Sequence, residues 1–234
     1  MGFLFQPERV TFVDRPGGTA VTATEDDPAE PGAQLTLSPG RIDPENPVWD
    51  DSRKPLAGEF RFDGRKLIVV ANHFASKGGD VPLFGRFQEP YRPSELQRRG
   101  ATQPVLDPQR GQAGVVNDWV ERLLAVDRRA RVVVLGDLND FEFSETANVL
   151  ERGTPGTADE LVDLWRLLPQ SEHYSYIFQG NGQVLDHILA SPALLAPRPE
   201  FAPVHMNSEF FDEQQSDHDP PLARFRVTEA PARN

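Results

Sequence analysis

The chain has 234 residues, a formal net charge of −12, 38% apolar and 26% charged residues, and no cysteine. That length supports one domain with a sizeable core. The missing cysteines exclude disulfides, thiolate chemistry and sulfur-based zinc sites, and no apolar stretch approaches the length of a transmembrane helix.

Taken in chain order, Phe3-Leu4-Phe5 and Val10-Thr11-Phe12-Val13 read as two short strands around a turn at Pro7. Residues 14–58 are dense in Pro, Gly and Asp and are expected to be mostly irregular. Phe60 and Phe62 alternate with polar residues up to Asp63-Gly64, a hairpin signal, and Leu67–Ala71 follows as a buried strand ending at Asn72-His73. Residues 74–110 read as a second long loop, net positive in an acidic chain. Val116, Trp119, Val120 and Leu123 fall at i, i+3, i+4, i+7 and predict a helix. Arg131–Leu135 is a buried strand that runs into Gly136-Asp137-Leu138-Asn139-Asp140. Helices are expected over 143–150 and 160–167, and strands over 174–178 and 184–190 around Gly180-Asn181-Gly182. Strands near 201–206 and at 222–227 close a single domain over 1–227, leaving 228–234 as a frayed tail.

Polar clusters recur just past strand ends, a common way to build a site on a rigid scaffold. In Gly136-Asp137-Leu138-Asn139, alternation points Asp137 and Asn139 the same way and Leu138 toward the core. Carboxylate and amide oxygens suit a hard cation such as Mg²⁺; an Asx turn is the plainer alternative. Ser216-Asp217-His218-Asp219-Pro220 sets an imidazole between carboxylates, where it can carry a proton beside a phosphate, or forms only an acidic turn. Asp186, inside the apolar run Leu185-Asp186-His187-Ile188, is costly to bury unless paired, and an imidazole from another segment is a natural partner. His187 points to the other face and reads as structural, as do His173 and His205. His73 could donate to a phosphate oxygen, although a lone strand-end histidine is more often structural.

Together, NHFxSKG, GDLND, SYIFxGN…LDHIL and SDHDP, in that order and each at a strand terminus, resemble the endonuclease/exonuclease/phosphatase superfamily. Within it the chain is most similar to secreted bacterial extracellular nucleases. The resemblance implies an α+β fold, two packed β-sheets flanked by helices in a four-layer α/β/β/α sandwich. It implies a metal-dependent phosphodiesterase acting on nucleic acid, DNA foremost, by in-line attack of water on phosphorus. Position by position, it makes His73 a donor to the scissile phosphate. Asp137 becomes the residue that activates water or holds a metal, and Asn139 the residue that orients the phosphate or joins the metal. Asp186 buttresses His218, which contacts the phosphate, and Asp217 is a metal ligand. Lys77 and Asn181 lie in matching motifs. Arg86 and Arg92, interleaved with Phe84, Phe87 and Tyr91, are candidate substrate contacts on the basic loop. The implied cofactor is Mg²⁺, with Mn²⁺ or Ca²⁺ as alternatives, and the implied location is extracellular or cell-envelope.

The superfamily also carries an Asn on its first strand and a metal-binding Glu soon after, upstream of anything matched by residues 2–13. The N-terminal strands are therefore expected to be missing, with weakened activity of this chain alone and self-association through exposed edges. Two alternatives stand beside the nuclease reading. One keeps the site but gives it a small phosphate ester or phospholipid headgroup; the other is a catalytically impaired fragment that only binds.

Overall fold

A computed structural model of the chain describes residues 1–29, 31–76, 111–152, 160–210, 212 and 214–227. Asp63 and Gly64 both take positive φ, 50° and 73°, as a two-residue hairpin turn with right-handed strand twist requires. They join β3 (Leu56–Phe62) to β4 (Arg65–His73), pairing Phe62 with Arg65 and Leu56 with Ala71. β4 runs parallel to β5 (Val132–Asp137), so the chain must cross over between them. The helix α1 (Gln112–Val126) lies within that crossover. After α2 (Glu145–Arg152) and a two-residue strand β6 (Val162–Asp163), β9 (Asp186–Ala190) pairs antiparallel with β5.

With β1 (Thr11–Phe12) and β2 (Gly40–Arg41) against β3, these strands make a seven-stranded sheet in the order β1-β3-β4-β5-β9-β6. Two small ribbons stand apart: β7 (Tyr176–Phe178) with β8 (Asn181–Gln183), and β10 (Glu200–Pro203) with β11 (Pro221–Arg224).

The two-residue period of a strand sorts the sheet into two faces. Ile68 and Val70, Val132 and Val134, and Leu189 pack against Val116, Trp119, Val120 and Leu123 of α1 and Val149 and Leu150 of α2. The opposite set, Val133, Ile188 and Ala190, packs with Trp165 and with Phe201 and Ala223 of the β10–β11 ribbon. Helices, large sheet and ribbon thus form three successive layers. This arrangement agrees with the expected sandwich of packed sheets flanked by helices, and Leu222 of β11 is 58% exposed.

Several expectations are corrected. Residues 3–5 form no strand; Phe3 and Phe5 instead pack their rings around Phe60, at 5.3 and 5.8 Å, alongside Phe12 at 5.2 Å. The 14–58 excursion is irregular but not peripheral, since Leu35, Ile42 and Trp49 enter the helix-side core. It is pinned by buried Glu59, which accepts from Arg15 Nη1 at 2.9 Å and from the Leu35 N–H at 3.3 Å. Residues 160–167 are not an α-helix. Val162 and Asp163 pair with Ala190 and Leu189, and the Asp163 carboxylate then caps a 3-10 turn at Leu164–Leu167 by accepting from Trp165 N. Strands 174–178 and 184–190 are not hairpin partners: Tyr176–Phe178 turns back onto Asn181–Gln183, and residues 186–190 belong to the large sheet. The final strands are shorter than expected, ending at Pro203 and Arg224. The loop at 77–110, with Lys77, Phe84, Arg86, Phe87, Tyr91 and Arg92, and the tail at 228–234 lie outside the described residues.

Candidate active site

The strand register assembles the site. His73, the last residue of β4, is the pairing partner of Asp137 at the end of β5, and Asp137 is the partner of Asp186 at the start of β9. All three share the parity of the ribbon-facing residues, so they form one row across three adjacent strands at one end of the sheet. Three segments distant in sequence converge with no adjustment beyond ordinary pairing.

His73 Nε2 lies 3.4 Å from Asp137 Oδ2. Asp137 Oδ1 accepts the Asn139 backbone N–H at 2.8 Å, an Asx turn that coexists with the site rather than competing with it. Asn139 stands at φ 51°, outside extended geometry, so the simple i, i+2 reading of this pair does not hold. The two side chains still meet because Asn139 Nδ2 donates to Asp137 Oδ2 at 3.2 Å and to the Phe74 carbonyl at 3.0 Å. Both amide N–H groups are therefore engaged, and Oδ1 is the atom Asn139 has to offer. Leu138 between them is buried in the helix-side core. Gly136 takes φ 130°, and a Cβ there would fall 2.0 Å from the Asn72 carbonyl oxygen, so only glycine fits between β4 and this turn.

His218 closes the group from the other side. Its Nδ1 lies 2.7 Å from Asp186 Oδ2, which also accepts the Ser175 hydroxyl at 2.8 Å. Ser175 Oγ in turn accepts the backbone N–H groups of Leu185 and Asp186 at 3.1 Å. Asp219 is fully buried and anchors this turn: its Oδ1 accepts the N–H groups of Met206, Asn207 and Ser208. Burial alone would push the Asp219 carboxyl up, but the donors around it hold it well below the usual carboxylate range.

The two imidazoles are driven apart. Burial lowers His73, opposed by Asp137 and reinforced by the charges of Arg53 and His218. The hydrogen bond to Asp186 raises His218 against the effect of burial. Burial also raises Asp137, with the like charge of Asp186 adding to it against the Asn139 N–H. One imidazole held below its ordinary value, another held above it and a carboxylate of raised basicity within one row can divide acid and base roles.

Asp137, Asp186 and His218 offer ligand atoms that all lie within 4.8 Å of one another. Because His218 Nδ1 already serves Asp186, the free donors are chiefly oxygens, which fit a hard divalent cation. Asp217 does not join this group. It is exposed, and its charge is felt at Tyr176 and His218. Asn181 sits at the tip of the β7–β8 ribbon, where its amide donates to the Phe178 and Gln179 carbonyls at 3.3 and 3.2 Å.

Sequence reading missed two participants. Ser175 gives no signal by type, because it meets Asp186 only through the fold. Arg53 stands three residues before β3, and its charge is felt at His73. The basic pair at the start of β3 was the available clue. A polar layer beneath the row gives His187 the structural place on the opposite face that its sequence context suggested. His187, fully buried, lies with Nδ1 2.6 Å from Asp163 Oδ2 and Nε2 2.9 Å from the Asp140 carbonyl, tying β9 to β6 and to the turn after Asn139.

Comparison with known proteins gives these observations a setting. No curated protein sequence matches the chain. Among solved structures, humanized D. rerio TDP2 aligns with a TM-score of 0.50 and 17% identity over 94% of this chain and 68% of that one. TDP2 from Caenorhabditis elegans aligns with a TM-score of 0.51 and 18% identity over 76% of this chain, which spans about half (48%) of that protein's length. At such identities the likeness is one of fold. A profile described as "Endonuclease/Exonuclease/phosphatase family" matches residues 95–219, more than half of the sequence and including the GDLND, LDHIL and SDHD segments. The chain belongs to the endonuclease/exonuclease/phosphatase family.

Proposed function

We propose that the chain is a divalent-metal-dependent phosphodiesterase that hydrolyses nucleic acid, DNA foremost, by in-line attack of water on phosphorus. The observation that carries this reading is the row His73–Asp137–Asp186 with His218 seated on Asp186. It joins two imidazoles of opposed protonation preference to two carboxylates at one end of the sheet.

Asp137, made more basic by burial, takes the proton of the attacking water as the new P–O bond forms, and Asn139 holds its carboxylate in place. The ester P–O bond in line with that attack breaks, and the departing oxygen takes its proton from solvent. His218, oriented by Asp186 and held above its ordinary value by that contact, donates from Nε2 to a non-bridging phosphate oxygen. His73 donates to the same phosphate from the β4 side, with Arg53 nearby as a further positive charge. Asp137 and the Asn139 Oδ1 are the oxygens proposed to hold Mg²⁺, or Mn²⁺ or Ca²⁺ in its stead, with Asp217 as a further ligand. A cation bound there offsets charge on the phosphate.

Lys77, Arg86, Arg92 and Asn181 are further proposed substrate contacts. An extracellular or cell-envelope location follows from the likeness of the motifs to secreted nucleases. No helix among the described residues is long and apolar enough to cross a membrane.

The reading is tested by cleaving a DNA oligonucleotide in ¹⁸O-labelled water under single-turnover conditions with Mg²⁺. One labelled oxygen in the new phosphate monoester is expected. Cleavage without label incorporation would rule out direct attack by water.

A further inference from the structure

A line of aromatic rings leads away from His218. Tyr174, Tyr176 and Phe178 alternate along one segment, so the period of two sets them on one side. The Tyr176 ring lies 4.9 Å from the His218 ring. Phe178 lies beyond it, 6.3 Å from Tyr176 with only 12° between the ring planes. Tyr174 stacks on His205 at 3.9 Å and 7°. The inner rings thus have partners, whereas Phe178 is 46% exposed.

The ribbon that presents Phe178 does little for the sheets. Among the described residues β7 and β8 pair only with each other, apart from one bridge between Tyr176 and His218. That bridge nevertheless fixes the rings relative to the site. The tip is set by Gln179 and Gly180, both at positive φ, and by the Asn181 amide, which is spent on the turn carbonyls.

We propose that Tyr176 and Phe178 form a stacking subsite for an unpaired nucleobase whose neighbouring phosphodiester lies at His218. This rests on the phosphodiesterase reading and narrows its substrate to single-stranded nucleic acid, frayed ends and flaps. A base in a duplex has both faces covered by its neighbours, so it cannot present one to Phe178. With a net charge of −12, the chain gains little from bulk attraction to a polyanion. Stacking on exposed rings supplies affinity that does not depend on net charge and tolerates any base. The Asn181 amide N–H groups, committed to the turn, leave the ribbon tip without that donor for reading a base edge, which fits a subsite without sequence preference.

The test uses the full chain, EDTA to prevent cleavage, and a single-stranded oligonucleotide carrying 2-aminopurine, whose fluorescence is quenched by stacking. Saturable quenching is expected with the wild type and with Phe178→Tyr. Phe178→Ala should retain the wild-type melting temperature, lose the quenching and bind roughly tenfold more weakly. The same base in the middle of a duplex should show no added quenching. Equal binding and quenching by Phe178→Ala, or equal effects with the duplex, would overturn the subsite. A parallel cleavage assay with Mg²⁺ separates the two claims. Cleavage without quenching removes the subsite alone, whereas quenching without cleavage keeps the base-binding surface and removes the phosphodiesterase reading.

Discussion

His218 Nδ1 lies 2.7 Å from Asp186 Oδ2, and Asp186 is itself the cross-strand partner of Asp137. One imidazole nitrogen is thereby committed to the protein, and Nε2 is the proposed contact to substrate. The same contact favours the charged ring, while burial and Arg53 favour neutral His73. Metal-free NMR titration should resolve two active-site imidazoles, His73 titrating below the ordinary 6.5 and His218 above it. In Asp186→Asn, the chief cause of the upward shift is lost, and His218 should move down toward or past 6.5. Equal midpoints for both histidines in the wild type would contradict the division of roles.

Gly136 is the narrowest point of the scaffold. A Cβ there meets the Asn72 carbonyl oxygen at 2.0 Å, and φ 130° disfavours any side chain. Gly136→Ala should cost at least ~3 kcal/mol by chemical denaturation. It should also impair cleavage beyond what lost folding explains, because the turn carrying Asp137 and Asn139 must shift. A loss below ~1 kcal/mol would mean that β4 and β5 accommodate the methyl group.

His187 forms a buried pair with Asp163, and its second nitrogen faces the Asp140 carbonyl. Burial opposes the charged ring, but Asp163 and the two hydrogen bonds prevail and raise it. Removing the ring strands a buried carboxylate, so His187→Ala should destabilise the fold by ~3 kcal/mol near pH 6. The sign of the pH dependence follows from the raised value. The pair's contribution is complete below about 6.5 and is lost as pH rises through the folded-state value. The wild-type advantage over His187→Ala should therefore shrink in alkali, measured by urea denaturation across pH.

Much of the scaffold could be read from local chemistry. Asp63-Gly64 announces its turn, α1 follows from its apolar spacing, and the strands ending at His73 and Asp137 stand where apolar runs stop. Parity along those strands suffices to put His73, Asp137 and Asp186 on one face. What could not be read is pairing between distant segments. Ser175 meets Asp186 across eleven residues of sequence, and the charge of Arg53 is felt at His73 across twenty. Leu161, Leu164 and Trp165 have helical spacing, yet edge pairing with β9 and the Asp163 cap override it.

Asp219 sits next to His218 but serves the loop at 205–208 rather than the row. Its depressed carboxyl contributes stability above about pH 4, which is lost as pH falls through the folded-state value. Asp219→Ala should cost ~3 kcal/mol at neutral pH, since three backbone N–H groups lose their acceptor. The gap to wild type should close in acid, and a gap that widens as pH falls would contradict this assignment.

The row closed by His218 is proposed to perform phosphodiester hydrolysis. The most direct test measures initial cleavage rates of plasmid and single-stranded DNA with Mg²⁺, Mn²⁺ or EDTA, for the wild type and for His218→Ala. We predict metal-dependent cleavage by the wild type, abolished by EDTA and reduced at least ~100-fold in His218→Ala. Cleavage that persists unchanged in His218→Ala, or wild-type protein inactive with every metal on every phosphodiester offered, would contradict it.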